Sequence, residues 1–569
     1  MAQLMRKLRL NFRSVFLPIL ILFSLSASAD VIISNGIIHT MDPNQAKVEA
    51  ILTRGDRIIF AGGLDAAKNM ASENPDYLDL QGATLTPGFI EAHGHIMSLG
   101  RSKLNLDLST AENYDEVVDQ VKSAVALAKP GEWIQGRGWH QSKWVPQPKN
   151  MVKGFQTHEK LSAVSPNNPV YLVHASGHAA MANAAAMKIA GINSETEVEG
   201  DGEVIKDEQL RPTGVLNEMA SRLVKQHLPP ADDSTEIKAL NLALEEMAKF
   251  GITSFQDAGA GKAEIALFKS FLKQKKLSSR FWVMLDGSDQ ELLLDWYRKG
   301  PEIGLGDNHL TIRSIKLVAD GALGSRGAWL LDSYSDRQNH IGLPTMSIEY
   351  MAKVSNDAFK NNFQVGIHAI GDRANRVVLD VFDDIFSHKN QGVRFRIEHS
   401  QHIDPVDIPR FAELGVIASI QGIHMSSDRP WAIDRLGKKR IEEGAYMWKA
   451  LTDSGAMVIN GTDVPVEPIN PIASFYALVT RQTLKGLPQG GYEPGQKLNR
   501  NQALKTYTIN AAYGAFEENI KGSIEAGKLA DFTVFDQDLL TVSDDKLLST
   551  KVVMTIVGGK IIYKSATAG

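Results

Sequence analysis

The sequence predicts an α/β protein: a (β/α)8 TIM-type barrel, a small β-sandwich domain formed by both chain ends, and a large insertion after the first barrel strand. Three observations predict it. Eight short apolar runs alternate with helical patterns through the middle of the chain, which is the arithmetic of a barrel. Both ends carry short strands punctuated by glycine turns, as expected when a large domain is inserted into a small one. Residues from about 100 to 245 exceed what one connecting helix needs.

Residues 1–29 read as a leader rather than as fold. Arg6, Lys7, Arg9 and Arg13 precede an apolar stretch over 15–25, and Ser26-Ala27-Ser28-Ala29 offers a small-residue cleavage site. The apolar stretch is too short to span a bilayer. The expectation is a Sec-type signal peptide and a bacterial protein that is periplasmic or secreted. Loss of these four cationic side chains takes the formal charge from −5 to −9. Residues 30–85 then supply strands at 31–36, 50–52 and 57–61, the first closing on the Asn35-Gly36 turn signal. The barrel is expected over 86–515, with strands at 84–92, 251–256, 280–285, 311–318, 363–369, 393–398, 415–420 and 457–461. Several are continuous apolar runs, as in parallel strands covered on both faces. Helical patterns fall between them at 236–250, 263–275 and 376–385. Residues 516–569 return to the small domain, with strands near 531–535, 552–554 and 558–563. An open doubly wound sheet is the alternative, but no Gly-rich phosphate turn follows any strand.

Composition excludes several kinds of chemistry. The chain has 569 residues and no cysteine, which rules out disulfides, a cysteine nucleophile and thiolate metal sites. With 61 Lys+Arg against 66 Asp+Glu there is no basic excess to hold nucleic acid. The partner expected is a small-molecule substrate, with no nucleic acid and no stable membrane association once the leader is cleaved. Homo-oligomerisation is left open.

His93 and His95 close the run 87–95; in an extended segment residues i and i+2 point the same way, so both imidazoles can face one ion. A lone His-x-His pair is weak evidence, and three further residues strengthen it. His368, His399 and Asp463 each stand where an apolar strand runs out into polar residues. His368 and His399 are 31 residues apart and His399 and Asp463 are 64 apart, one and two βα units of a roughly 250-residue barrel. Lys316 lies inside an apolar strand. It either pairs with a carboxylate such as Asp320 or Asp463, or stays neutral through burial and adds carbon dioxide as a carbamate.

With these residues the chain resembles the amidohydrolase superfamily, and more narrowly amidohydrolase family 3, the group of N-substituted formamide deformylases and exoenzyme regulatory proteins. The marks are Pro-Gly-Phe-Ile-Glu-Ala-His-Gly-His (87–95), Ser-Ile-Lys-Leu-Val-Ala-Asp-Gly-Ala-Leu-Gly-Ser-Arg (314–326) and Ile-His-Ala-Ile-Gly-Asp-Arg-Ala-Asn (367–375). To them add Arg-Ile-Glu-His-Ser-Gln (396–401), Gly-Thr-Asp-Val-Pro-Val (461–466) and the tail 522–532. The resemblance implies a divalent-metal hydrolase with two zinc ions. His93, His95 and Asp463 would hold one, His368 and His399 the other, and carboxylated Lys316 would bridge them. It implies hydrolysis of an amide-type C–N bond by hydroxide held on the metal, with Asp463 as general base and then acid. The competing readings are a deaminase or an ester or lactone hydrolase at the same site, or a non-catalytic regulatory or binding protein.

Four residues are weaker substrate-binding candidates. His178 ends the run His174-Ala175-Ser176-Gly177-His178 in the insertion, which the resemblance places over the barrel mouth; Asp320, Arg326 and Arg373 follow strands four and five. Glu398, just before His399, reads as support for that ligand histidine or for a neighbouring strand. Trp133, Trp139 and Trp144 are either a wall for an apolar substrate or simply core.

Overall fold

A computed structural model describes residues 30–198, 202–229, 232–387 and 392–566; the expected leader lies outside the described residues. Eight parallel strands run in chain order: Phe89–Gly94, Ile252–Ala260, Arg280–Asp286, Leu310–Val318, Gln364–Ala369, Arg396–His399, Ile417–Ile420 and Val458–Asn460. Each pairs in parallel with the next, and all eight meet expected runs. The ring is drawn together just beyond the last strand. Asp463 N–H donates to His93 O and His95 N–H to Val464 O, both at 2.8 Å. The seam between first and last strand therefore passes through the residues at which chemistry was expected.

The strands form because their side chains are buried on both faces, inside the barrel and beneath the helices. The helices start at polar caps. Asp232, Asp289 and Ser347 accept the N–H of Thr235, Leu292 and Tyr350 to open Asp233–Lys249, Gln290–Lys299 and Ile348–Lys360. The run expected as one strand over 84–92 is divided. Thr84–Pro87 joins the terminal sheet, and after Gly88 the chain enters the barrel as Phe89–Gly94. At Gly88 a Cβ would lie 2.2 Å from Thr253 Oγ1, so this junction has no room for a side chain.

The insertion carries its own six-stranded sheet, in spatial order Gly202–Lys206, Pro212–Glu218, Ala179–Ala182, Val170–His174, Ile134–Trp139 and Leu106–Asp107. Trp139 and Trp144 are buried in its core with Tyr114, Val117 and Leu172, while Trp133 packs on a second cluster around Tyr171 and Leu216. The tryptophans are therefore core and not a substrate wall. Helix Asp233–Lys249, partly assigned to the insertion from sequence, belongs with the barrel. Its Leu240, Ala243 and Met247 join the barrel core, and Gly100 approaches Ala239 so closely that a Cβ would meet its carbonyl oxygen at 2.1 Å.

Both chain ends share one eight-stranded sheet, in which Thr84–Pro87 pairs antiparallel with Phe532–Phe535 and parallel with Asp30–His39. It is tied to the N-terminal end of the barrel by a buried pair: Arg280 Nε and Nη2 donate to Asp531 at 2.6 and 2.9 Å. Asp531 also accepts Gly558 N–H.

Candidate metal centre

The candidate ligands stand where barrel strands end. His93 lies in the first strand, and His95 follows it as the first helix begins. Lys316 and His368 lie near the ends of the fourth and fifth, His399 closes the sixth, and Asp463 follows the eighth. This is the barrel face that carries active sites. Two of these positions, His399 (φ 77°) and Asp463 (φ 58°), take left-handed backbone that non-glycine residues avoid. Strain of this kind persists where surrounding structure over-determines a residue, and it concentrates at functional sites.

His95 Nε2 and His93 Nε2 lie 3.2 and 3.5 Å from Asp463 Oδ1. One ligand atom from each of the three residues falls within 4.8 Å of the others, the only such cluster among the described residues. The His368 and His399 rings are 4.3 Å apart, and His399 is 5.0 Å from the His93 ring. His93 Nε2 is buried with no hydrogen-bond partner, 3.5 Å from Asp463 Oδ1, whereas His368 Nε2 lies 3.5 Å from Asp320 Oδ1. Imidazole nitrogens and a carboxylate oxygen gathered as in His93, His95 and Asp463 suit a cation.

The supporting contacts prepare those lone pairs. His93 Nδ1–H donates to Glu398 Oε2 at 2.6 Å and His399 Nδ1–H to Gln421 Oε1 at 2.7 Å, leaving each Nε2 free to ligate. Burial works to raise the Glu398 carboxyl, but the charge of Arg396 and the His93 hydrogen bond outweigh it and keep it ionised. Arg396 is itself held by Gln256, Ala92 O and Ser419. Glu398 thus supports His93 across the barrel rather than its neighbour His399. Burial keeps the imidazoles neutral: His93 is lowered to about 4, and His368 and His399 are well below the usual range. Burial also lowers the Lys316 ammonium to about 8, against the opposing pull of Glu398 and Asp463. Asp463 is the reverse case. Burial would raise it, but the His95 hydrogen bond and nearby imidazoles hold it well below the carboxylate range. Glu91 accepts the N–H groups of His93 and Thr462 and the Thr462 hydroxyl, pinning the seam.

The mouth above these residues is a cavity of about 70 Å³ shared between insertion and barrel. The insertion supplies His140, Lys143, His174 and His178 to its wall; the barrel supplies His424 and Trp431 as well as His368, His399 and Asp463. His178 Nδ1 is 2.9 Å from Glu218 Oε2, and its ring is 6.1 Å from that of His368. Glu218 reaches this position with φ 47°, ψ −123°, and its other oxygen takes the Ser325 hydroxyl at 3.4 Å.

Of the four weaker substrate candidates, only His178 lines this cavity. Asp320 is fully buried and accepts the backbone N–H groups of Trp329, Ile370 and Gly371, so it shapes the loops beside His368 instead of meeting substrate. Arg326 is committed to Asp336 by two hydrogen bonds, and Arg373 to the carbonyls of Leu330 and Leu331. Strand-end position alone suggested all three; each is consumed by the loop it sits in. Sequence reasoning passed over Gln421, Glu218, His140, Lys143 and Trp431. No local motif marks them: Gln421 and Glu218 meet His399 and His178 across 22 and 40 residues, and Lys143 meets Glu467 across 324.

A family model described as the amidohydrolase family matches residues 76–563. The chain is 32% identical to Protein LONG AFTER FAR-RED 3 of Arabidopsis thaliana over 550 residues, covering 94% of this chain and 92% of that protein. It is 27% identical to the N-substituted formamide deformylase of Arthrobacter pascens over 552 residues, 94% of this chain and 98% of that one. Among solved structures, an uncharacterized metal-dependent hydrolase from Pyrococcus horikoshii OT3 superposes with a TM-score of 0.73 at 27% identity. That match covers 91% of this chain and 99% of that one.

Proposed function

The chain belongs to the amidohydrolase family, and from that premise we propose that it hydrolyses an amide-type C–N bond of a small molecule, of the N-acyl or N-formyl amine class. The observation that carries this reading is the cluster of His93, His95 and Asp463, whose ligand atoms lie within 4.8 Å of one another at the mouth of the barrel. The likeness to a formamide deformylase supports the choice of bond.

In this reading His93, His95 and Asp463 would hold one divalent cation, His368 and His399 would hold a second, and a carbamate on Lys316 would serve both. Imidazole and carboxylate donors without thiolate suit zinc, and equally iron, manganese or nickel. Divalent cations bound there would acidify a water and polarise the substrate carbonyl. The chain's own groups do the rest. Glu398 and Gln421 keep His93 and His399 in the tautomer that presents Nε2. Asp463, ionised, takes a proton from the attacking water and passes it to the departing nitrogen, so that a carboxylic acid and an amine leave. The leader pattern of residues 1–29 supports export, which N-terminal sequencing of the mature protein would show as a chain starting at Asp30.

The test loads purified protein with zinc and measures free amine released from a panel of N-formyl and N-acyl amines. Amine release that a chelator abolishes and zinc restores supports the proposal. No release from any member, with metal shown to be bound by elemental analysis, overturns it.

A further inference from the structure

The cavity wall holds a second set of unpartnered atoms apart from those of the metal centre. His174 Nε2, Trp431 Nε1, His140 Nδ1 and His424 Nε2 are all buried without a hydrogen-bond partner, and all four residues line the same cavity. His174, His140 and His424 are each more than nine-tenths buried.

Two of the four atoms have a determined sense. An indole nitrogen only donates. In His174, Nδ1 receives the backbone N–H of Ser176 at 3.1 Å, so it must carry the lone pair and the ring's hydrogen sits on Nε2. Burial keeps this ring neutral, its value lowered to about 3. The loop after strand Val170–His174 is braced to hold the arrangement. Gly177 N–H returns to His174 O, the Ser176 hydroxyl meets His174 Nδ1 at 2.8 Å, and Arg137 clasps Ala175 O. Trp431 comes from the opposite side, on the helical segment Gly422–Gly444 that follows the seventh barrel strand. The His140 ring neighbours both, 4.6 Å from that of His174 and 5.8 Å from that of Trp431.

We propose that His174 and Trp431 form a subsite for a second oxygen acceptor on the substrate, a carbonyl or carboxylate outside the scissile amide. The inference deepens the amide-hydrolase reading and rests on it for the identity of the bond. Its basis is that buried donors left unpaired are costly, and a site built around them rejects ligands that lack the matching acceptor. Lys143 on the same wall already faces Glu467 at 3.5 Å, so it does not decide between a neutral and an anionic acceptor. The subsite joins insertion to barrel, which gives the insertion a part in selecting substrate.

The experiment compares kcat/KM of the zinc-loaded protein for N-formylbenzylamine, which has no second acceptor, with three relatives that have one. N-formylphenylalaninamide and N-formylphenylalanine place a carbonyl or carboxylate on the amine half, and N-succinylbenzylamine places a carboxylate on the acyl half. At least one relative is expected to be preferred by about tenfold or more. That ratio is expected to fall towards one in Trp431→Phe and in His174→Phe, which keep a ring and remove the N–H. Because the readout is a ratio within each variant, a general loss of active protein cancels. A wild-type ratio near one for all three relatives, or a ratio that both variants keep, overturns the subsite. If none of the compounds is hydrolysed, the amide reading falls and calorimetric titration of the same four compounds decides the subsite alone. Tighter binding of an acceptor-bearing compound that Trp431→Phe abolishes supports it, and equal binding overturns it.

Discussion

Asp463 gathers the most physical demands of any residue in the site. It takes left-handed backbone and buries Oδ1 3.2 Å from His95 Nε2 and 3.5 Å from His93 Nε2. Asp463→Asn keeps the shape and removes the charge that a cation and a proton transfer both need. We expect hydrolysis to fall by about a thousandfold or more with little change in melting temperature. Amine release at wild-type rate from this variant would end the assignment. Lys316 makes a different prediction. Its amine is lowered to about 8 by burial, against an ordinary value near 10.5, with Glu398 and Asp463 opposing the shift. Between those values the folded protein binds fewer protons at this site than the unfolded chain, so the contribution to stability rises with pH across that window. The neutral amine is also the form that adds carbon dioxide. Protein equilibrated with 13C-bicarbonate should therefore show more carbamate signal at about pH 9 than at about pH 7, and none in Lys316→Met. A signal that weakens with rising pH would remove Lys316 from the site.

At the scale of elements, the site depends on how the first and last barrel strands are joined. Gly461 follows the strand Val458–Asn460, and a Cβ there would lie 2.2 Å from Glu91 Oε1 and 2.5 Å from His93 N. Gly461→Ala must displace either the Glu91 brace or the His93 backbone. The variant should lose metal affinity by about ten- to a hundredfold, as misplaced supporting contacts do, while its far-ultraviolet circular dichroism stays wild-type. Metal titration followed by zinc analysis of dialysed protein reads this out, and wild-type affinity would show that the seam tolerates the methyl. The same seam shows why some of the site could be anticipated. His93, His95, His368, His399 and Asp463 each end an apolar run, and their spacing follows the βα repeat, which one dimension can display. Glu398 was legible as a supporting residue, but its partner was not. The sequence favours its neighbour His399, whereas the pleat sends Glu398 across the barrel to His93. Arg326 and Arg373 misled for a related reason. A strand-end position shows that a side chain starts near the mouth, not whether Asp336 or a loop carbonyl claims it first.

Across the whole molecule, three cores meet around one chain path: the barrel, the insertion and the sheet made from both ends. Arg280 and Asp531 join the terminal sheet to the barrel at the end opposite the metal centre, and both are almost wholly buried. Asp531→Ala would leave the guanidinium buried without its direct ion-pair partner, with only the more distant Glu517 and Asp56 carboxylates near. We expect a loss of about 3–5 kcal/mol in unfolding free energy, measured by urea denaturation. A change below about 1 kcal/mol would mean that water or a neighbour compensates. The periodicity of apolar runs and the register of His and Asp residues by themselves determined the barrel, the two-ended sheet and which strand ends carry the candidate ligands, because burial and the βα repeat are written along the chain. Only the tertiary structure decided which polar groups remain unsatisfied at the mouth. Whether Asp320 is spent on backbone amides, or His174 and Trp431 keep their donors free, depends on neighbours brought together by folding and not on spacing.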